Sequence, residues 1–472
     1  MKAIFSIAVF ICCFTVYSQQ KAPLLSGKVT ISVTQGTFEC DLTLSDLPPV
    51  KEYFIRLNRG MNVLNFRDME QGGHIIGYDI SHDDKKSFGE SSAYYFPGNA
   101  RGSKFLPKSV SVKYVGKYPV VKDTLDNNHS RSDWKGNIAF NGYSVRTDGR
   151  QTAWFPLLYD IENDKIYENI RYDLQIECAD CNTLYINGHV AVKATSHHFK
   201  SDIPYELTLY CGNFTSTDIG GTYILNSDLT PEQQKEFSAM INSYKEYYTK
   251  NLKIPYTFPV TFINTTPTSA KDSWMFVSYP TIFTIGYGDS GLKSLFASKI
   301  QDWYRPFMAH ELGHYYFGTY KVFNSVLGDM MSEGFTEFMA MKLTKEIIGI
   351  EVYNAKLKGK LQELQDDEFY PKPFAAITDE KEYEDRELYV YYYAPVIFMA
   401  IEREIGEKKM MDWLVTVLKS KTEFTDYKFL VSTLVQTLKN EKQVQLIKTK
   451  YFESNDAMAN AIKTLERKSS YQ

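Results

Sequence analysis

His310-Glu311-Leu312-Gly313-His314 sets two imidazoles four residues apart with a glutamate between them. On an α-helix, residues i and i+4 share a face, so both rings reach one point while Glu311 projects beside it. Two neutral imidazole nitrogens and one carboxylate make a three-ligand Zn²⁺ site that keeps an open position for water. Glu333, in Ser332-Glu333-Gly334-Phe335, stands where a second helix can supply that carboxylate. Of the eight histidines, His74, His82, His129, His189, His197 and His198 fall before Lys200, and the motif pair is all that follows. Packing accounts for a single imidazole, but poorly for two at helical spacing around an acid. The chemistry these types offer is metal-assisted hydrolysis, with one Zn²⁺ ion as Lewis acid and Glu311 moving the proton from water to the leaving group.

Two helices have to position these groups. Pro306 is expected in the first turn of the motif helix, where a missing N–H costs nothing, and Gly318 as its stop. Gly328 to about Ile348 reads as the second site helix, with Phe335, Met339 and Leu343 at helical intervals on its core face. Glu337 lies one turn past Glu333; it is either the partner that orients a ligand imidazole or a solvated surface glutamate. Upstream, Thr230-Pro231-Glu232 carries an N-cap, a first-position proline and an early acid, predicting a helix to about Asn251. Phe258 to Ile263 and Thr281 to Ile285 read as strands, and the chain from Leu388 onward as helix.

Before these helices the pattern has period two. Lys28 to Val33, Ser109 to Val115 and Arg171 to Ile176 alternate apolar and polar residues, and Asp148-Gly149 and Asn187-Gly188 are turn pairs. At 472 residues the chain exceeds one ordinary core. The expected organisation is a signal peptide at 1–18, a β-domain at 19–212, a catalytic domain at 213–415 and a short helical tail at 416–472. Lys2, the apolar run Ala3 to Val16 and Ser18 form the secretion signal, which implies a periplasmic or secreted protein. Bulky Ile11 disfavours lipid attachment at Cys12 or Cys13. No stretch reaches the length of a membrane span. A net charge of -4 gives no basic field for nucleic acid. Cys40, Cys178, Cys181 and Cys211 remain after signal removal, predicting one or two disulfides; a disulfide or buried thiols are favoured over a second metal at Cys178-Ala179-Asp180-Cys181.

His310-Glu311-Leu312-Gly313-His314-Tyr315-Tyr316-Phe317-Gly318 resembles the H-E-x-x-H-x-W-F-G of gluzincin zinc peptidases, most closely the aminopeptidase N family, and Glu333-Gly334-Phe335 stands at that family's separation. Trp154-Phe155-Pro156, Asn187-Gly188 and Cys211-Gly212-Asn213-Phe214 are similar to its β-domain. The resemblance extends to about residue 415. It implies an α+β multidomain fold, with a saddle-like β-rich domain followed by a thermolysin-like, mostly helical catalytic domain. It further implies a peptide or protein substrate, and a transition-state tyrosine counted back from Ile405-Gly406 to Tyr391, among neighbours Tyr389, Tyr392 and Tyr393. The family's G-x-M-E-N strand matches Ser273-Trp274-Met275-Phe276-Val277, where Phe276 replaces the glutamate that holds the substrate's amino group. A phenyl ring offers an ammonium only a cation-π contact. The resulting expectation is a secreted, aminopeptidase-like zinc metallopeptidase with weakened free-amine recognition. An endopeptidase, a non-peptide hydrolase on the same site, and a silent secreted binding module are the alternatives.

Overall fold

Alternating strands need a second layer to cover their apolar faces, and the first half of the chain supplies three sheets. The computed structural model describes residues 21–466 apart from 71, 83–90, 97–105, 121–137, 164, 266–273, 286–290, 367–368 and 423; the 1–18 signal, His129 and Ser273 lie outside the described residues. Leu24–Ser32 pairs antiparallel with Thr37–Ser45 and parallel with Asn169–Cys178 at the middle of a seven-stranded sheet. Four- and five-stranded sheets complete this part. Leu25, Val29, Leu42, Tyr114 and Leu174 join Trp154 and Phe155 in one buried core. The Trp154 indole satisfies its N–H on the Leu207 carbonyl at 2.7 Å.

Cys178 and Cys181 form a disulfide, and Cys40 and Cys211 are buried free thiols that burial pushes up to about 12. Asp180 sits inside the four-residue loop and accepts from the Ser32 and Thr34 hydroxyls and from the Val33 and Thr34 amides. The bonded sulfurs and an acid occupied in this way describe a staple rather than a metal knuckle.

The chain leaves the first part after Leu209–Gly212 and enters a second, five-stranded sheet at Ser216–Ile219. Helix α1 (Pro231–Leu252) begins with a full capping box, in which Thr230 accepts from the Gln233 amide and the Gln233 side chain returns to the Thr230 amide. Helices α2 (Gln301–Gly313) and α3 (Gly328–Leu343) follow, then α4 (Ile350–Asp366), a π-helical turn at Leu388–Tyr393, and α5 (Ala394–Ile405). Pro306 is inside α2 rather than in its first turn, because the helix begins at Gln301. The bond it forfeits would fall near the helix start, at the carbonyl of exposed Asp302, where solvent access lowers the cost. The helix ends at Gly313, ahead of Gly318.

Helices α6 (Glu407–Lys419), α7 (Tyr427–Leu438), α8 (Glu441–Ile447) and α9 (Ala457–Glu466) close the chain. The 416–472 tail does not stand apart from what precedes it. Position 416 falls within α6, and Trp413, Leu430, Ile447 and Phe452 share one core with Phe335 and Phe398. Phe335 stacks on Phe398 at 4.4 Å and meets Trp413 edge-on at 5.8 Å. Among the described residues, no helix is long and apolar enough to cross a membrane.

Two glycines set the spacing of the central helices. A Cβ on Gly313 would come within 3.0 Å of Thr336 Cγ2 and 3.1 Å of the Tyr248 hydroxyl, so α2 rests against α3 and α1 with no room for a side chain. A Cβ on Gly334 would stand 2.9 Å from the Ala394 Cβ, which has no flexible end to move aside. Gly334→Ala is therefore expected to destabilise the protein by about 1–3 kcal/mol, the usual cost of overpacking. Urea unfolding checks this, and an unchanged midpoint refutes the close-approach account.

Candidate metal centre

α2 presents His310 and Glu311 from its last turn and His314 just beyond its end. His314 keeps helical backbone angles (φ -63, ψ -14), so its ring stays on the His310 face. α3 presents Glu333. The His310 and His314 Nε2 atoms are 3.2 Å apart, and each approaches Glu333 Oε2, at 3.1 and 3.2 Å. The remaining ring nitrogens are engaged elsewhere. His310 Nδ1 donates to Glu337 Oε2 at 2.9 Å and His314 Nδ1 to the Phe317 carbonyl at 3.2 Å. In neutral rings those bonds would leave the Nε2 lone pairs pointing inward, free for a metal.

Three acceptors so arranged repel one another unless a cation lies between them. A tetrahedral ion with bonds of ~2.0–2.1 Å holds its ligands about 3.3 Å apart. The spacing found here would accommodate such an ion, and the two-nitrogen, one-carboxylate donor set suits zinc. His310, His314 and Glu333 also form one of two groups of metal-competent side chains among the described residues, the other being the disulfide loop.

Without metal, a proton does part of the ion's work. Burial presses the His310 imidazole toward neutrality, but the Glu333 and Glu337 carboxylates on either side outweigh it and hold the ring up to about 10. Burial likewise opposes the Glu333 charge, and the two imidazoles overcome it, keeping that carboxyl well below its ordinary range.

Around the ligands lies a set of long-range partners that sequence spacing did not disclose. Lys360 of α4 pairs with Glu337 Oε1 at 2.7 Å. Arg386 grips Asp329 with two bonds of 2.7 Å and reaches Glu333 Oε1 at 3.6 Å. Tyr391 stands with its ring 5.7 Å from that of His310 and 5.6 Å from the Arg386 guanidinium. Burial and the nearby Glu333 charge push its hydroxyl well above the ordinary tyrosine value, so it stays a donor. Its neighbours face elsewhere: Tyr389 stacks on Tyr383, Tyr393 packs beside Phe374, and Tyr392 lies under Lys360. Glu311 is buried, and its charge also acts on the Tyr391 hydroxyl.

Phe276 is not among these groups. Strand Trp274–Ser278 alternates, so Met275 joins the helical core while Phe276 turns the other way, stacked 4.7 Å from Phe283 and 5.7 Å from the Arg146 guanidinium. Its cation-π partner is an internal arginine.

No family model and no curated protein matches the chain. Solved structures do. Native LTA4 hydrolase from yeast superposes with a TM-score of 0.63 at 14% identity over 90% of this chain and 66% of its own. The M1 zinc metallopeptidase from Deinococcus radiodurans superposes with a TM-score of 0.57 at 13% identity over 91% of this chain and 93% of its own. A mutant of that peptidase bound to a Tyr-Ser-Ala substrate gives the same TM-score, 0.57. The chain has the fold of the M1 zinc metallopeptidases. It is an α+β arrangement, a β-rich part followed by a mostly helical one, and the chain spans about two thirds of the yeast enzyme's length.

The proton on His310 predicts how metal affinity depends on pH. An ion entering the site must displace that proton, so zinc affinity should climb about tenfold per pH unit below about pH 10. The metal-free protein behaves in the opposite sense: His310⁺ contributes its full stability below the unfolded value near 6.5 and loses it as pH rises to about 10. Chelator competition at pH 6, 7 and 8 measures the first trend, and a flat profile would contradict it. Glu333→Ala should abolish stoichiometric zinc in the same assay.

Proposed function

We propose that this chain is a zinc-dependent hydrolase of peptide bonds, aminopeptidase-like but without a strict requirement for a free amino terminus. The observation that carries the reading is the convergence of His310, His314 and Glu333 within 3.2 Å beside a buried Glu311. Zinc held by those three would supply Lewis acidity, polarising a carbonyl and letting water attack near neutral pH. Glu311 takes the proton from the attacking water and hands it to the departing amine nitrogen. The Tyr391 hydroxyl, kept protonated by its surroundings, donates to the oxyanion as the carbonyl carbon becomes tetrahedral. Arg386 restrains the outer oxygen of Glu333 and lies against the Tyr391 ring.

A peptide substrate is supported by the tripeptide-bound structure of a protein with the same fold. Trp303, Phe307 and His310 also follow one another along α2, with ring separations of 5.2 and 6.5 Å, and give a peptide side chain an aromatic surface leading to the metal point. The relaxed amine requirement is inferred from the sequence alone: Ser273-Trp274-Met275-Phe276-Val277 carries no carboxylate. Action outside the cytoplasm is supported by the Cys178–Cys181 disulfide and by the signal-like N-terminus.

Glu311→Gln should lower kcat by about 10²–10⁴-fold with zinc content unchanged, the range for losing a general base. Tyr391→Phe should lower kcat by about 10²–10³-fold at similar KM. Acetylating the N-terminus of a good peptide should reduce kcat/KM by less than about 30-fold, which is roughly 2 kcal/mol and the low end of the cost of breaking a buried charge pair. Mass-spectrometric profiling of a peptide library supplies the substrates. Near-normal turnover by Glu311→Gln on all of them would rule out this base.

A further inference from the structure

Lys360 is a buried lysine 7% exposed, on a helix that supplies no metal ligand. Its ammonium has three defined neighbours. It meets Glu337 Oε1 at 2.7 Å, donates to the Tyr391 backbone carbonyl at 2.8 Å and lies 4.7 Å from the centre of the Tyr392 ring. The first contact leads to the metal point, since the other Glu337 oxygen takes the His310 Nδ1 proton at 2.9 Å. The second leads to the tyrosine whose ring stands beside His310.

The local sequence explains why a lysine can reach that carbonyl. In an α-helix the Tyr391 oxygen would accept from residue 395, but residue 395 is proline and has no N–H. The turn Leu388–Tyr393 is π-helical, with the Ala394 amide reaching back to the Tyr389 carbonyl. A π-turn displaces carbonyls from the regular ladder, and such turns gather at functional sites. Lys360 donates where the proline cannot. One cation thus ties the partner of a metal ligand to the backbone that carries the oxyanion donor.

We infer that Lys360 is a positioning residue for both arms of the site: through Glu337 it fixes the His310 ring for the metal, and through the Tyr391 carbonyl it fixes the height of that tyrosine above the metal point. The inference rests on the zinc-hydrolase reading above. A lysine that merely neutralised a buried glutamate would affect the first arm and leave the second untouched.

The two arms are separable by experiment. Zinc release to a chromogenic chelator is measured for the wild type, Lys360→Met, Glu337→Gln and the double variant, together with kcat and KM on the library peptide that the wild type cleaves fastest. Lys360→Met should release zinc measurably faster than the wild type, by up to the about 10–100-fold expected of losing Glu337, the outer partner of the ligand, itself. The double variant should release zinc no faster than Glu337→Gln alone, because Lys360 reaches the metal only through Glu337. Its kcat should nevertheless fall about tenfold or more below that of Glu337→Gln at unchanged KM, and this further fall should vanish when Tyr391→Phe is already present. The double variant removes both charges of the Lys360–Glu337 pair, so it carries the test where Lys360→Met alone fails to fold. Wild-type zinc release in Lys360→Met overturns the inference. So does a double variant with the kcat of Glu337→Gln, or a kcat loss that multiplies with that of Tyr391→Phe. A wild-type protein that binds no zinc sinks the site reading itself, and the inference with it.

Discussion

Three electron-pair donors meeting within 3.2 Å in a water-poor interior are unstable without positive charge between them, and the helical half of this protein is organised around that constraint. Glu337 and the Phe317 carbonyl take the outer imidazole protons, which turns both lone pairs inward. Gly313 lets α2 lie close enough to α3 for Glu333 to join them, and Gly334 lets α5 close over α3 from behind. Lys360 and Arg386 then neutralise the carboxylates that the arrangement buries. Each is a response to the same electrostatic demand.

The β-rich part contributes by holding the edge of the second sheet. The Asn187 side-chain amide donates to the Ser278 and Tyr279 carbonyls, the Tyr185 hydroxyl meets Thr281, and the Thr208 hydroxyl donates to Ser278. Tyr185, Tyr210 and Phe214 pack with Phe276 and Phe283 across the junction. Asn187-Gly188 therefore does more than turn the chain: its asparagine is a buried clamp on the strand next to α2. This gives the phenylalanine at 276 a physical reason. On a strand with period two, the residue after Met275 faces the junction, and an aromatic core favours a ring there over a carboxylate.

What could be read in advance follows the range of the interaction. His310, Glu311 and His314 were legible because helical periodicity acts over four residues, and the start of α1 because a capping box is local. The β-strands were legible from alternation. A charged residue in a helical stretch announces nothing about partners far along the chain, so Lys360, Arg386 and Asp329 gave no sign: each acts on a group 20 or more residues away or pairs with one that does. Pro306 was misplaced because a proline near a helix start loses so little that its position marks the boundary only to within a turn or two. The last helices read as solvated packing because their lysines dominate the eye, while the residues that matter, Trp413 and Phe452, are single rings buried beneath Phe335 and Phe374.

The tyrosine run at 389–393 illustrates how the fold resolves what a sequence leaves degenerate. Four similar side chains crowd one turn, and burial divides them: Tyr389 and Tyr393 are fully buried, while Tyr391 and Tyr392 lie on the more open side. Tyr389 and Tyr393 meet each other and Phe374, continuous with the core that reaches Phe452. Such packing pins one face of the turn and leaves the opposite face no freedom to rotate. Tyr391 is thereby held beside His310 by residues that never touch the metal point, and Lys360 secures its backbone from the flank. A donor aimed at a developing oxyanion is effective only if it need not reorganise as charge appears, so under the proposed function the aromatic core beneath the π-turn would matter as much as the Tyr391 hydroxyl it presents.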